Sequence, residues 1–158
     1  MSAFGFDTHN HNNCIAGAVS SAQAFCRDAG LKLTPLRARV LEILLQEHRA
    51  MGAYEVLDRL REDGLGSQPP AAYRALEFLV TNGFAHRIER LNAFIACTRP
   101  GESHRPAFLI CRMCNHVAEA AGPSAGAGLG KIANDAGFAI ENTVVEAEGI
   151  CPNCQDSE

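Results

Sequence analysis

In the first half of the chain, apolar side chains recur at the spacing of α-helices. This pattern predicts four helices, over residues 18–29, 34–48, 53–62 and 69–82. Thr34-Pro35 and Pro69-Pro70 are predicted helix starts, because Thr caps an N-terminus and Pro suits the first helical turn. In the fourth helix, the predicted buried stripe is Tyr73, Leu76, Leu79 and Val80. The polar segment before the first helix, residues 1–17, is predicted to be a mobile tail.

After residue 84 the apolar and polar positions alternate, which is the pattern of β-strands. Residues 85–89 and 92–97 therefore form a predicted hairpin. An order of helices followed by a two-stranded hairpin is typical of a winged helix, which is a variant of the helix-turn-helix. We expect a winged-helix DNA-binding domain over residues 1–97.

The second half of the chain is shorter and mixes strands with a helix. Residues 98–105 are rich in Pro, Gly and Ser and are predicted to form a hinge. The pattern then predicts strands over residues 108–111, 117–120 and 138–148, and a helix over 124–136 that three glycines weaken. The expected fold class is therefore mixed α+β, with a small α+β domain over residues 106–158 that is too thin to stand alone.

Composition narrows the class of protein. Hydrophobic residues make up 47% of the chain, as in ordinary globular proteins. No apolar run approaches the roughly 20 residues that span a bilayer, and the N-terminus does not resemble a signal peptide. We therefore expect a cytoplasmic protein with no membrane partner. Cysteines in that compartment stay reduced, and seven of them cannot pair completely, so clustered cysteines indicate metal binding.

The net charge of −4 comes entirely from the second half of the chain. Residues 1–90 carry ten basic and ten acidic side chains, whereas residues 91–158 carry four and eight. This balance neither supports nor excludes DNA as a partner. On the fourth helix, Ala71, Ala72 and Arg74 are predicted on the outer face, which suits entry into a major groove. The alternative is a solvated helix face with a single Arg.

Two Cys-x-x-Cys pairs form the strongest chemical motif, Cys111 with Cys114 and Cys151 with Cys154. Two residues between thiolates allow both sulfurs to bind one ion, and two such pairs complete the tetrahedron that zinc prefers. We expect a structural zinc site that joins the last strand of the chain to the first strand of the second half. The alternative is two unrelated thiol pairs, or a redox pair.

No sequence motif indicates catalysis. Zinc deaminases combine His-x-Glu with Pro-Cys-x-x-Cys, but here the spacing from His116 to Glu119 is one residue too long, and Pro152 lies inside the second pair. The sequence also lacks phosphate-binding loops, nucleophile elbows and metalloprotease motifs. We therefore expect a protein that is not an enzyme and has no small-molecule substrate.

A looser group of metal-binding residue types flanks the predicted hinge: His86, Cys97, His104 and Glu119. From spacing alone, an ordinary surface or core position explains each of them better than a joint metal site does. The tail residues His9, His11 and Cys14 are better explained as part of a mobile segment than as ligands. Cys26 on the first helix is most simply a small buried residue.

The sequence as a whole resembles the ferric uptake regulator family, and within it the zinc uptake regulator branch. The resemblance runs from about residue 22 to 154 and is carried by LTPLRARVLEIL, PPAAYRALEFLVTNGFAHRIE, FLICRMC and GICPNC. It implies a zinc-responsive transcriptional repressor that binds operator DNA as a zinc-loaded homodimer and controls zinc uptake genes. The second half would then be the dimerisation domain.

The resemblance also assigns residues to roles. It implies two Zn²⁺ ions per chain, a structural one at Cys111, Cys114, Cys151 and Cys154 and a regulatory one at His86, Cys97, His104 and Glu119. Tyr54, Tyr73 and Arg74 fall where the family contacts DNA. Asp58 and Arg61 match a pair that bridges neighbouring dimers on the operator, although an exposed ion pair at this spacing also arises by chance.

Two other interpretations stay open. One is an iron- or manganese-responsive regulator of the same family, but iron-type members usually carry a His-rich run before the first Cys pair, where this chain has only His104. One thiolate, two imidazoles and a carboxylate also suit zinc better than iron(II) or manganese(II). The other is a zinc-stapled interaction module without a DNA role. The chain departs from the family at Asn115-His116, where a small residue such as Gly is common.

Overall fold

The fold comes from a computed structural model that describes residues 11–47, 49–65, 68–98, 100, 106–120 and 127–156. These residues fall into two compact units, one up to residue 100 and the other from residue 106 onward. The mixture of helices and strands confirms the α+β class. In the part of the chain that the structure describes, no helix combines the length and the apolar content needed to cross a bilayer.

The first unit consists of four helices and a hairpin. The helices are α1 (His11–Asp28), α2 (Pro35–Gln46), α3 (Ala53–Glu62) and α4 (Pro69–Thr81), and β1 (Ala85–Ile88) pairs antiparallel with β2 (Ala93–Ala96). Thr34 caps α2, because its side chain accepts a hydrogen bond from the Arg37 N–H at 3.3 Å. Proline stands in the first turn of α2 and of α4, as the sequence predicts. This is the element order of a winged helix.

The core of this unit lies between the helices. Apolar side chains such as Ile43 of α2, Leu57 of α3 and Leu76 of α4 are almost fully buried there. The hairpin is tied to the α2–α3 connection, since Met51 and Phe94 exchange two backbone hydrogen bonds. Because the helices turn their apolar stripes toward this core, the opposite faces of α3 and α4 are left exposed.

α1 begins earlier than the sequence predicts. Residues 11–17 were assigned to a tail, but they are helical. Ile15, Val19, Ala22 and Cys26 follow one another at helical spacing, and Ala22 and Cys26 are buried in the core. The apolar stripe therefore continues back to Ile15 and makes the longer helix favourable. His9 lies outside the described residues.

The rotation of α4 also differs from the prediction. The buried residues are Ala72, Ala75, Leu76 and Leu79, whereas Tyr73 is half-exposed. The predicted burial of Tyr73 and the predicted outer position of Ala72 are both wrong. Small alanines allow α4 to pack closely on its neighbours, so the buried stripe runs through them and Tyr73 turns outward.

The second unit is a three-stranded sheet with two helices. β3 (Ala107–Cys111) lies in the centre of the sheet, antiparallel to β4 (Val117–Ala120) and parallel to β5 (Val145–Gly149). α5 (Ala127–Asp135) lies between β4 and β5 in the sequence, and the short α6 (Pro152–Gln155) follows β5. The last strand thus pairs directly with the first strand of this unit.

The strand predicted over residues 138–148 is wrong over its first part, because β5 begins only at Val145. Its register with β3 runs from Ala107 opposite Val145 to Cys111 opposite Gly149. β3 is five residues long, so it offers no further ladder partner to the residues before Val145.

Candidate metal centres and nucleic-acid interface

Four cysteines come together in the second unit. The sulfur atoms of Cys111, Cys114, Cys151 and Cys154 all lie within 4.8 Å of one another. Cys114 Sγ and Cys151 Sγ are 3.8 Å apart. A tetrahedral zinc ion with Zn–S bonds of about 2.3 Å separates its sulfur ligands by about 3.8 Å. None of the four cysteines forms a disulfide, and their geometry and chemistry fit zinc.

The sheet topology explains why two pairs so distant in sequence meet. Because β3 and β5 are parallel and end together at Cys111 and Gly149, the residues after each strand leave the sheet at the same edge. The Arg112 N–H donates to the Gly149 carbonyl at 2.9 Å, which continues the pairing into the first Cys-x-x-Cys turn. α6 then carries Cys154 one helical turn beyond Cys151.

Asn115 closes the first Cys-x-x-Cys turn in the left-handed conformation, with φ of 62°. Its N–H donates to the Cys111 carbonyl at 2.9 Å. After Gly, Asn is among the residues that tolerate this conformation best. The departure at residue 115 is therefore compatible with the turn that holds the two sulfurs, a role that the sequence analysis missed.

Within this cluster, the thiol of Cys111 differs in acidity from those of Cys114 and Cys154. The Cys151 N–H donates to Cys111 Sγ at 3.3 Å, and this hydrogen bond is the main reason why the pKa of the Cys111 thiol falls to about 6. Burial raises the pKa of Cys114, and the side-chain contact with Cys151 is the main cause that raises the pKa of Cys154 to about 12. Cys111 is thus the thiol that ionises most readily of the three, and a cation is needed before Cys114 and Cys154 can carry charge beside it.

The residues predicted for a second metal site belong to both units. In the first unit, His86 lies on β1 opposite Ile95, and Cys97 follows β2 with its N–H donated to the Phe84 carbonyl at 2.9 Å. A ring nitrogen of His86 and the sulfur of Cys97 lie within 4.8 Å of each other. The β1–β2 pairing therefore brings two of the predicted donors together.

In the second unit, Glu119 lies on β4 opposite Phe108. Its side chain is only 7% exposed, and it is the single buried charged residue among those described. A buried carboxylate is costly unless it meets a cation or hydrogen-bond donors, so its position is consistent with a ligand role. His104 lies outside the described residues.

The predicted DNA-contacting residues lie on the outer faces of α3 and α4. Tyr54, in the first turn of α3, is 65% exposed. Tyr73 and Arg74 are exposed side by side near the start of α4. On the exposed face of α3, Asp58 and Arg61 approach each other to 3.7 Å, one helical turn apart.

A winged helix followed by an α+β unit with a four-thiol centre defines a class of metal-dependent helix-turn-helix proteins. The profile of the ferric uptake regulator family matches residues 28–148, and this chain belongs to that family. It is 34% identical over 141 residues to the zinc uptake regulation protein of Escherichia coli (strain K12), which covers 89% of this chain and 82% of that one. Ferric uptake regulation proteins of Neisseria meningitidis are 28% identical over 134 residues, covering 82% of this chain and 90% of theirs.

Solved structures agree with the sequence relatives. A zinc uptake regulator in complex with zinc and DNA matches with a TM-score of 0.85 at 32% identity, covering 95% of this chain and 98% of that chain. The structure of holo XcZur matches with a TM-score of 0.80 at 37% identity, covering 87% of this chain and 96% of that chain. These comparisons confirm the resemblance on which the sequence-based expectations rest.

Proposed function

We propose that this chain is a zinc-responsive transcriptional repressor, not an enzyme, that acts in the cytoplasm and controls zinc uptake genes. The observation that supports the proposal most is its similarity, over almost its whole length, to a zinc uptake regulator in complex with zinc and DNA. Zinc uptake regulation proteins are also more similar to it than the ferric uptake regulation proteins compared above. The partner is double-stranded operator DNA.

DNA binding is proposed for the outer faces of α3 and α4. Arg74 has the guanidinium that suits a guanine edge in the major groove or a phosphate, and Tyr73 stands beside it. Tyr54, exposed at the start of α3, is proposed to contact the DNA backbone beside the same groove. In a symmetric dimer, two such surfaces about one helical turn of DNA apart match a palindromic operator.

A homodimer is proposed to form through the second unit. Several large apolar side chains on α5 and on the segment after it are exposed, among them Ile132 at 65% and Phe138 at 67%. Leu129 and Val144 extend this apolar surface, and together with neighbouring residues they line an open cavity of about 390 Å³. So much contiguous apolar surface on a small unit is characteristic of an interface.

Two zinc ions per chain are proposed. The structural ion is assigned to the four cysteines of the second unit, where Zn²⁺ supplies a positive charge that lets several thiolates lie together. The regulatory ion is assigned to His86, Cys97, His104 and Glu119. Since His86 and Cys97 belong to the first unit and Glu119 to the second, shared ligation would link the two halves and bias the hinge toward a DNA-binding state.

A contact between neighbouring dimers is proposed for Asp58 and Arg61. Both side chains are more than half exposed, and their own ion pair at 3.7 Å is loose. An exposed pair of this kind is worth little within one chain, so its charges are available to a second dimer on the same operator.

The proposal is tested by fluorescence anisotropy of labelled promoter DNA from zinc importer genes, titrated with the full chain at buffered free zinc, iron(II) or manganese(II). We expect tight binding with zinc alone, and a loss of at least about tenfold in affinity for Arg74→Ala. Binding restored by iron(II) or manganese(II) instead would assign the chain to another metal. Weak binding that is indifferent to metal and to DNA sequence would leave a zinc-stapled interaction module.

A further inference from the structure

The segment that connects α2 and α3 is held from two sides. On one side, Met51 exchanges two backbone hydrogen bonds of 2.8 Å with Phe94 of β2. On the other side it leads into α3, whose N-cap, Gly52, provides no side-chain hydrogen bond to the first turn. The Glu55 side chain instead accepts a hydrogen bond from the Gly52 N–H, so the orientation of that first turn depends on where Glu55 is held.

A chain of four alternating charges holds Glu55 in place. The Arg49 guanidinium donates a hydrogen bond to Glu55 and lies 3.7 Å from the Glu47 carboxylate. Glu47 in turn accepts a hydrogen bond from Arg59 at 3.0 Å. Glu55 and Arg59 are four residues apart and share one face of α3. The connecting segment is thus fastened to two successive turns of the helix.

This network orients the first turn of α3 more than it stabilises the fold. All four side chains are 31–39% exposed, and ion pairs with that much solvent around them stabilise a fold only weakly. The planar guanidinium of Arg49 contacts two carboxylates at once, however, and this geometry fixes their relative positions. Arg49 also lowers the pKa of Glu55, mainly through their hydrogen bond, so Glu55 stays ionised and paired at neutral pH.

The residue next to Glu55 is Tyr54, the exposed side chain of α3 to which a DNA contact is assigned above. Any rotation of the first turn of α3 moves the Tyr54 ring. Arg49 opposes such a rotation, while its own guanidinium is turned toward the carboxylates of Glu47 and Glu55.

We propose that Arg49 is a positioning residue for DNA binding: by holding Glu55 it fixes the first turn of α3 and directs Tyr54 at the DNA backbone. This inference rests on the proposed function, because it presupposes that Tyr54 meets operator DNA. Arg49 itself makes no DNA contact in this account.

The test is a pair of double-mutant cycles on the full chain at saturating zinc, with affinity for labelled operator as the measured quantity. Arg49→Ala should weaken binding roughly three- to fivefold. In a Tyr54→Ala background it should have no further effect beyond about twofold, whereas with Arg74→Ala the two losses should multiply. The slope of affinity against salt should not change, since a lost phosphate contact would reduce it by about 0.9.

Arg39→Ala is the matched control. Arg39 also pairs with two carboxylates, Asp63 at 2.6 Å and Glu42 at 2.9 Å, so its removal deletes the same charge from a similar network in the same unit. We expect operator affinity within about twofold of wild type. Thermal unfolding of each variant separates a local change at α3 from a general loss of the fold.

Two results would overturn the inference while the proposed function stands. One is that the losses of operator affinity caused by Arg49→Ala and Tyr54→Ala multiply in the double variant. The other is that Arg49→Ala reduces the slope of operator affinity against salt. An equal loss of affinity in Arg39→Ala would also overturn it, because charge alone would then explain the effect. Failure of the wild-type chain to bind operator at saturating zinc would overturn the inference and the proposed function together.

Discussion

At the scale of single residues, Cys111 differs from Cys114 and Cys154 of the same cluster. It lies at the end of β3, it is buried, and it accepts a hydrogen bond from the Cys151 N–H. Its thiol therefore ionises more readily than a free cysteine, while the pKa values of Cys114 and Cys154 are raised. In the proposed structural zinc site, Cys111 would be the ligand that connects the metal to the sheet.

Replacement of Cys111 by Ser should remove the structural zinc and unfold most of the second unit. The expected loss in the free energy of unfolding is on the order of 4 kcal/mol or more, because metal binding energy is folding energy in such a site. The measurements are zinc content per chain and denaturant unfolding.

Arg112→Ala is the control for this change. Arg112 lies between the two cysteines of the first pair, and its side chain is exposed. We expect the Arg112→Ala variant to keep its zinc, and its free energy of unfolding to fall by no more than about 0.5 kcal/mol. A Cys111→Ser chain with full zinc content and unchanged stability would show that the cluster is not the structural centre.

The sequence alone was enough to predict that these four cysteines form one cluster, because a pair of Cys-x-x-Cys motifs suggests few other metal-binding groups. The unequal acidity within the cluster could not be predicted in this way, since it depends on where β5 and α6 place the N–H of Cys151. The exposure of Tyr73 was missed for a similar reason. Periodicity places an apolar stripe only to within about one residue, and neighbouring alanines decided its rotation.

At the scale of elements, α5 is weakened by its own composition. Gly128 and Gly130 lie inside the helix, and a Cβ added at either position would meet no atom within 4 Å. Glycine inside a helix costs stability relative to alanine, because it loses more backbone freedom on folding.

Gly128→Ala should therefore raise the free energy of unfolding by about 0.5–1 kcal/mol. Gly137→Ala is the contrasting control, because Gly137 has a φ of 65° and an added Cβ there should cost about 1 kcal/mol. Both are measured by denaturant unfolding. Destabilisation by Gly128→Ala would contradict an open position and point to close packing against a second chain.

Most elements were predictable because each buries a periodic stripe. α3 and α4 occupy the expected residues, and the hairpin differs from its predicted bounds by a residue or so. β5 was predicted too long because its length is set by the ladder of β3, which is a non-local property. α1 was predicted too short because a polar N-terminal stretch concealed Ile15, whose stripe continues into the core.

At the scale of the whole molecule, we first expect the chain to form a dimer through its second unit. Ile132→Glu places a charge in the exposed apolar surface of α5 and should shift the chain toward monomer in sedimentation velocity. Leu65→Glu, at an exposed leucine of the first unit, is the control and should stay dimeric. Ile132→Glu should also lose operator affinity. Unchanged sedimentation of Ile132→Glu would place the interface elsewhere.

The second prediction at this scale tests the proposed regulatory zinc site. It compares two buried cysteines of the first unit, one a proposed ligand and the other a control. Cys97→Ala should abolish zinc-dependent operator binding while zinc content falls by about one ion and the dimer stays folded. Cys26→Ala removes a buried thiol that belongs to no proposed ligand set and should keep the zinc response. Anisotropy at buffered zinc compares the two. A full zinc response in Cys97→Ala would remove this residue from the regulatory site.

The central claim is that zinc and operator DNA bind this protein cooperatively. Chelator competition should measure zinc affinity of the regulatory site, in chains whose structural site is filled, with and without operator. Because coupling is reciprocal, operator should tighten zinc binding by the same factor by which zinc tightens operator binding, about 5- to 150-fold. Identical zinc affinities in the two conditions would contradict the account.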